Sequence, residues 1–185
     1  MRHGPAEDRA RTGIDADRAL TPSGRDRVRD VARALADGGE RPAVILTSPY
    51  LRCRQTAEIV AQTFAQTFAE NAPSADLSTA AAPANVKPAE SISIELRDAL
   101  AAGGAAHAVV RELLADPRPN AMLCGHEPDL SELIARLVRE PIPLAMDKAM
   151  VVGLDVNPAG STAAASLRFV LNPKTLHWDR TNARA

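Results

Sequence analysis

Apolar residues recur along this chain in two periods that take turns. In "LTPSGRDRVRDVARALADGG" the apolar positions Val28, Val31, Ala32 and Leu35 fall three and four apart, the spacing of one helix face. Thr21 stands where an N-cap belongs, Pro22 at the first helical position, and Gly38 and Gly39 where a helix stops. The next run, "AVILTS", is apolar on successive positions and bounded by Pro42 and Pro49. It is too short for a helix and reads as a parallel strand covered on both faces. A long helix is predicted from Leu51 to about Glu70, containing "AQTF" twice in tandem. The second copy adds about one turn and reads as a tolerated lengthening of a surface helix end.

Further on, "SISIE" predicts a strand, "AAHAVVRELLA" a helix, "NAMLCGH" a strand and "DLSELIARLVR" a helix. "AMVVGLDV" and "SLRFVLN", joined by "NPAGST", predict a closing hairpin. The stretch of about 71–91 is rich in Ala, Pro, Ser and Asn and lacks either period, so it is predicted to be a surface loop inserted in the domain. Strands alternating with helices give an α/β fold, a three-layer α/β/α sandwich around a mostly parallel central sheet. Ligands of such sheets bind at the carboxyl ends of the strands.

Composition narrows the class. A chain of 185 residues with 45% hydrophobic residues builds one core, so residues 1–185 are read as a single domain. Its 22 Lys plus Arg against 23 Asp plus Glu leave no basic field for nucleic acid or an anionic membrane. No apolar run approaches the roughly 20 residues that span a bilayer, and no signal peptide precedes the first motif, so the protein is read as cytoplasmic. Cys53 and Cys124 have no metal-ligand spacing and read as small buried apolar residues.

The candidate chemistry follows the strands. In "SPYLRCRQTA", Arg52 falls in the first turn of a helix, where free backbone N–H groups and a guanidinium fork suit a phosphate. "GHEPDL" puts Gly125 and His126 after another strand, again before a helix. The chain opens on "MRHG", which supplies Arg2 and His3, with Gly4 allowing close backbone approach.

Together "RHG", "LTPSG", "SPYLRCRQTA" and "GHEPDL" resemble the histidine phosphatase superfamily, with its phosphoglycerate-mutase-like fold. The short length, the lack of a cap domain and the tail "LDV…SLRFVLNP" resemble its smallest branch, the SixA-type phosphohistidine phosphatases. The resemblance implies a hydrolase in which His3 is the nucleophile and forms a phosphohistidine intermediate. Arg2, Gly4, Arg52 and His126 join His3 in binding the phosphate, with His126 acting as a cation. It also implies no cofactor and no metal, because these cations supply the charge. The substrate it implies is phosphohistidine on a protein such as a phosphorelay domain. Small phosphomonoesterase or mutase-like chemistry is one alternative, and a non-catalytic phosphate-binding domain is another.

Two features depart from the pattern. The family places a complete apolar strand before its nucleophile, whereas only Met1 and Arg2 precede His3, so the first strand is read as truncated before Arg2. The alternative is a sheet position left open, with unpaired strand edges. The general acid is also undefined: Glu127 is favoured, with Glu95, Glu7 and Asp8 as further candidates. Lys148 precedes a strand at the ligand edge and is a candidate for the substrate rim, while His107 and His177 match no motif and are read as surface or packing residues.

Overall fold

The structure is a computed structural model that describes residues 1–70, 91–115, 120–138, 145–157 and 164–180. Most of the predicted inserted loop lies outside the described residues. The elements run α1 (Pro22–Asp37), β1 (Val44–Thr47), α2 (Leu51–Glu70), β2 (Ser93–Leu96), α3 (Ala106–Ala115), β3 (Ala121–Cys124), α4 (Asp129–Val138), β4 (Val151–Asn157), β5 (Ala164–Leu171) and β6 (Trp178–Arg180). The predicted alternation is present, and β4 and β5 form the predicted antiparallel pair. The sequence reading overlooked β6, which is only three residues long, and a 3-10 turn at Asp15–Asp17.

β1 is central to a parallel sheet of order β2-β1-β3, and β4-β5-β6 form a second, antiparallel sheet. The pleat of β1 explains the layers. Ile45 packs with the buried faces of α1 and α2, while Val44 and Leu46 pack with α3 and α4 on the other side. A strand buried at every position has to be apolar throughout, as "VILT" nearly is.

The chain start is built into this framework. The amine of Met1 donates to the Leu123 carbonyl at 2.7 Å, and His3 N donates to Gly125 O at 3.1 Å. On the opposite edge Arg2 N donates to Met150 O and Ala149 N to His3 O, both at 3.0 Å. Met1–His3 thus take a ladder position between the end of β3 and the residues leading into β4. Ala149 reaches His3 from a positive φ of 72°, a conformation that its Cβ disfavours.

α1 begins as the sequence predicts, with the Thr21 side chain accepting from Gly24 N and Pro22 in the first turn. Gly24 has a reason of its own: a Cβ there would overlap the Pro5 carbonyl, which already accepts from Thr21 N. The helix start and the first loop therefore meet backbone to backbone. In α2 the first "AQTF" is core, with Thr63 and Phe64 at 2% and 1% exposure, whereas Phe68 of the second copy is 42% exposed. That gradient fits a helix lengthened toward solvent.

Gly24→Ala is expected to cost about 1–3 kcal/mol through overpacking and to lower the melting temperature by roughly 3–10 °C. Thermal unfolding followed by circular dichroism checks it, and an unchanged midpoint would show that the loop yields.

Candidate active site

His3, Arg52 and His126 are buried polar residues in a cluster that three separate elements bring together. His3 is fixed through its backbone, as above, and its ring Nδ1 lies 2.7 Å from the Gly4 carbonyl. A carbonyl only accepts, so Nδ1 carries the proton and Nε2 keeps its lone pair. Burial, reinforced by His126, Arg52 and Arg2, pushes the His3 pKa down to about 3, so the ring is neutral and nucleophilic.

His126 follows β3, with its ring centroid 5.3 Å from that of His3 and 4.9 Å from that of Tyr50. Its Nδ1 is 3.4 Å from an Arg52 terminal nitrogen, and its Nε2 is 2.9 Å from Ser48 Oγ. A guanidinium only donates, so Nδ1 accepts and the Nε2 proton goes to Ser48. Burial first, and then Arg52, lower the His126 pKa to about 4. The resemblance makes His126 a cation beside a bound phosphate dianion; without an anion, burial beside a permanent cation favours its neutral form.

Arg52 sits in the first turn of α2 and stacks on Tyr50 at 4.9 Å. Its terminal nitrogens donate to the Asp15 carbonyl at 2.8 Å and the Asp15 carboxylate at 3.0 Å. Arg18 first, and then Arg52, hold the Asp15 carboxyl below the usual carboxylate range. Arg2 donates to the Met146 carbonyl at 2.5 Å. The Nε of Arg2 and the Nε of Arg52 are both buried without a protein acceptor. Such donors are costly unless something fills them, and an oxyanion is the natural acceptor.

Gly4 joins the cluster, its N–H donating to Thr56 Oγ1 at 3.1 Å. The acid candidates do not converge on it. Glu127 adjoins His126, but its Oε2 accepts from Ser131 at 2.6 Å, and its Oε1 is buried without a partner. Glu95 is held by Arg97 at 2.6 Å, and Glu7 and Asp8 are exposed on the first loop. Lys148 lies in the segment that binds the Arg2 and His3 backbones. His107 is exposed on α3, and His177 pairs with Asp179 at the surface. Cys53 and Cys124 are free and buried, as read, although Cys53 Sγ lies 3.5 Å from His126 Nε2. Sequence reasoning missed Ser48, Tyr50 and Thr56, which the motif "SPYLRCRQTA" carries, and Asp15, which no motif marks.

Residues 1–78 match the family model of the histidine phosphatase superfamily, branch 1. An uncharacterised protein of Picosynechococcus sp. is 36% identical over 156 residues, covering 83% of this chain and 81% of the relative. The chain belongs to the histidine phosphatase superfamily. It is thus a hydrolase acting on phosphate. Its fold matches that of the protein histidine phosphatase SixA solved with tungstate, with a TM-score of 0.72 and 23% identity over 96% of this chain and 97% of that one. A protein from Agrobacterium tumefaciens described as phosphohistidine phosphatase SixA gives 0.68 and 21% over 93% and 94%. A mycobacterial glucosyl-3-phosphoglycerate phosphatase solved with VO3 gives 0.58 and 16% over 90% and 94%. These matches show the phosphoglycerate-mutase-like fold, with no cap domain among the described residues.

The neutral histidines predict an acid-sensitive fold. With folded pKa values of about 3 and about 4 against an ordinary 6.5, the unfolded chain binds more protons than the native one below pH 6.5. Stability should be retained above pH 6.5 and fall as the pH drops toward 4, by up to about 1.4 kcal/mol per pH unit for each histidine. Urea unfolding of the wild type and of His126→Gln at pH 7 and pH 5 checks this. The variant should lose less between the two, and equal losses would mean that His126 is charged in the folded protein.

Proposed function

We propose that this phosphatase works through a covalent phosphohistidine on His3 and that its substrate is phosphohistidine on a protein. The observation that carries the reading is the His3 ring, buried and neutral, with its proton tied to Gly4 O and its Nε2 lone pair available. In the first step Nε2 attacks phosphorus, the N–P bond forms, and the bond to the leaving group breaks with the electron pair leaving on that group. Water then attacks phosphorus, the N–P bond breaks, and inorganic phosphate departs with His3 regenerated. Arg2, Arg52 and His126 face the charge that develops on the equatorial oxygens. A bound phosphate dianion supplies the negative charge that reverses the His126 shift and makes it a cationic donor. These groups provide fixed positive charge without a metal ion.

The substrate assignment rests on the acid. Asp15 touches Arg52 but is held ionised by two arginines, so it is a poor proton donor. Glu127 keeps its nearest bond with Ser131. A site with weak acid assistance favours a leaving group that departs readily, and a protein imidazole does so where an alkoxide does not. The likeness in fold to a glucosyl-3-phosphoglycerate phosphatase supports small phosphomonoesters as a second reading.

Catalytic efficiency on a phosphorylated histidine domain is expected to exceed that on glycerol phosphate by at least about tenfold, roughly 1.4 kcal/mol. The reverse order would move the enzyme to the second reading. Quenched turnover should trap an acid-labile, alkali-stable phosphate, and His3→Ala should abolish both label and activity; label on another residue type would end the proposal. Arg52→Lys keeps the charge but loses the fork, and turnover should drop by about tenfold or more. Glu127→Gln should harm alkyl esters far more than phosphohistidine if Glu127 is the acid, and equal losses would remove it from that role.

A further inference from the structure

His3, Arg52 and His126 are 6%, 5% and 3% exposed, whereas Asp15, bonded to Arg52, has 58% of its side chain exposed. The Arg52 nitrogen that meets the Asp15 carboxylate at 3.0 Å is also the one 3.4 Å from His126 Nδ1. A carboxylate therefore stands at the mouth of the cluster that the proposed reaction uses for phosphate, where a second negative charge works against an anionic ligand. Asp15 keeps that charge, because Arg18 at 2.8 Å and then Arg52 hold it ionised. Arg18 engages Oδ1 and Arg52 engages Oδ2. Two carboxylate oxygens offer about four lone-pair positions, so acceptor capacity is left over.

In-line transfer to His3 puts the leaving group on the side of phosphorus away from that buried ring, toward solvent. An exposed carboxylate there discriminates by charge. An alkoxide or phenolate gains negative charge as its bond to phosphorus breaks, and Asp15 opposes it. An imidazole bonded to phosphorus through one nitrogen can carry a proton on the other, in the pH range where histidine titrates, and Asp15 favours that cation.

We propose that Asp15 selects the phosphohistidine ring, its carboxylate accepting the N–H of the ring nitrogen that is not bonded to phosphorus. The inference rests on the reading of the reaction given above. The bond from His3 Nε2 to phosphorus forms as the substrate N–P bond breaks, and the electron pair of the broken bond goes to the departing nitrogen. The ring leaves as neutral imidazole, its proton still on the distal nitrogen beside Asp15. No proton has to reach the scissile nitrogen in this step, so Glu127 can keep its bond to Ser131.

The test compares kcat/KM for phosphohistidine phosphorylated at Nε2 and for p-nitrophenyl phosphate in the wild type, Asp15→Asn and Asp15→Glu. Both substrates place a phosphoryl group on the same Arg52 fork, so a disturbance of Arg52 divides out of their ratio. Asn keeps an oxygen for Arg52, and the backbone carbonyl of residue 15, which accepts from Arg52 at 2.8 Å, is retained. Asp15→Asn should lower the ratio by about tenfold or more, the usual worth of a charge-assisted hydrogen bond. Asp15→Glu keeps a carboxylate and should retain most of the preference. Equal losses on both substrates in Asp15→Asn would overturn the proposal and leave Asp15 as a support for Arg52. A fall in Asp15→Glu as large as that in Asp15→Asn would overturn it as well, since the negative charge would then not be what selects. The wild-type preference tests the reading of the reaction and its change on substitution tests Asp15, so each can fail without the other.

Discussion

The backbone of Met1–Gly4 is the constraint on which the remaining structure depends. It hydrogen-bonds to Leu123 and Gly125 at the end of β3 on one edge, and to Ala149 and Met150, which lead into β4, on the other. Because both edges are fixed, His3 has one orientation relative to His126, which follows the same β3. Gly4 then turns away and donates to Thr56 in α2, the helix that also carries Arg52. A few backbone bonds thus set three site residues from three elements in a single frame, as a reaction that needs aligned groups requires.

Burial decides the charges in that frame. Arg52 cannot lose its proton, so desolvation has to be offset by acceptors, and Asp15 supplies a carbonyl and a carboxylate. The histidines can lose theirs, and they do, since each is buried beside arginine. The outcome is a site with fixed cations, neutral imidazoles and two buried N–H groups lacking an acceptor. An anion bound there gains from each of these at once, and its arrival is what would charge His126.

Much of this was legible in the sequence because local physics and tertiary packing agree. Val28, Val31, Ala32 and Leu35 bury the face of α1 that their spacing marks, and "AVIL" is apolar because β1 has a helix layer on each side. What stayed hidden depends on contacts distant in the chain. Asp15 pairs with a residue 37 positions away, and nothing in "GIDADRAL" announces that partner. The neutrality of His126 follows from burial and from Arg52, neither of which a spacing reveals. The three residues of β6 carry too few positions for either period to show; Trp178 holds there by packing on Phe169.

The motif glycines and threonines acquire a common cause. The Thr21 backbone N–H donates to the Pro5 carbonyl, and Gly24 lets the first turn of α1 lie against that same carbonyl. Leu20 N, one residue earlier, donates to Gln55 of α2 at 2.8 Å. The segment between Pro5 and Leu20 is therefore anchored at both ends beside the site, and Arg18 ties its middle by donating to the Glu7 carbonyl at 2.5 Å and pairing with Asp15 at 2.8 Å. Anchored in this way, the segment has to pass over the start of α2, which is how an exposed residue such as Asp15 comes to hold a buried one such as Arg52. "LTPSG" thus serves the cluster from a distance: its hydroxyl caps a helix, its glycine admits a carbonyl, and together they fix the path of the loop that orients the guanidinium fork.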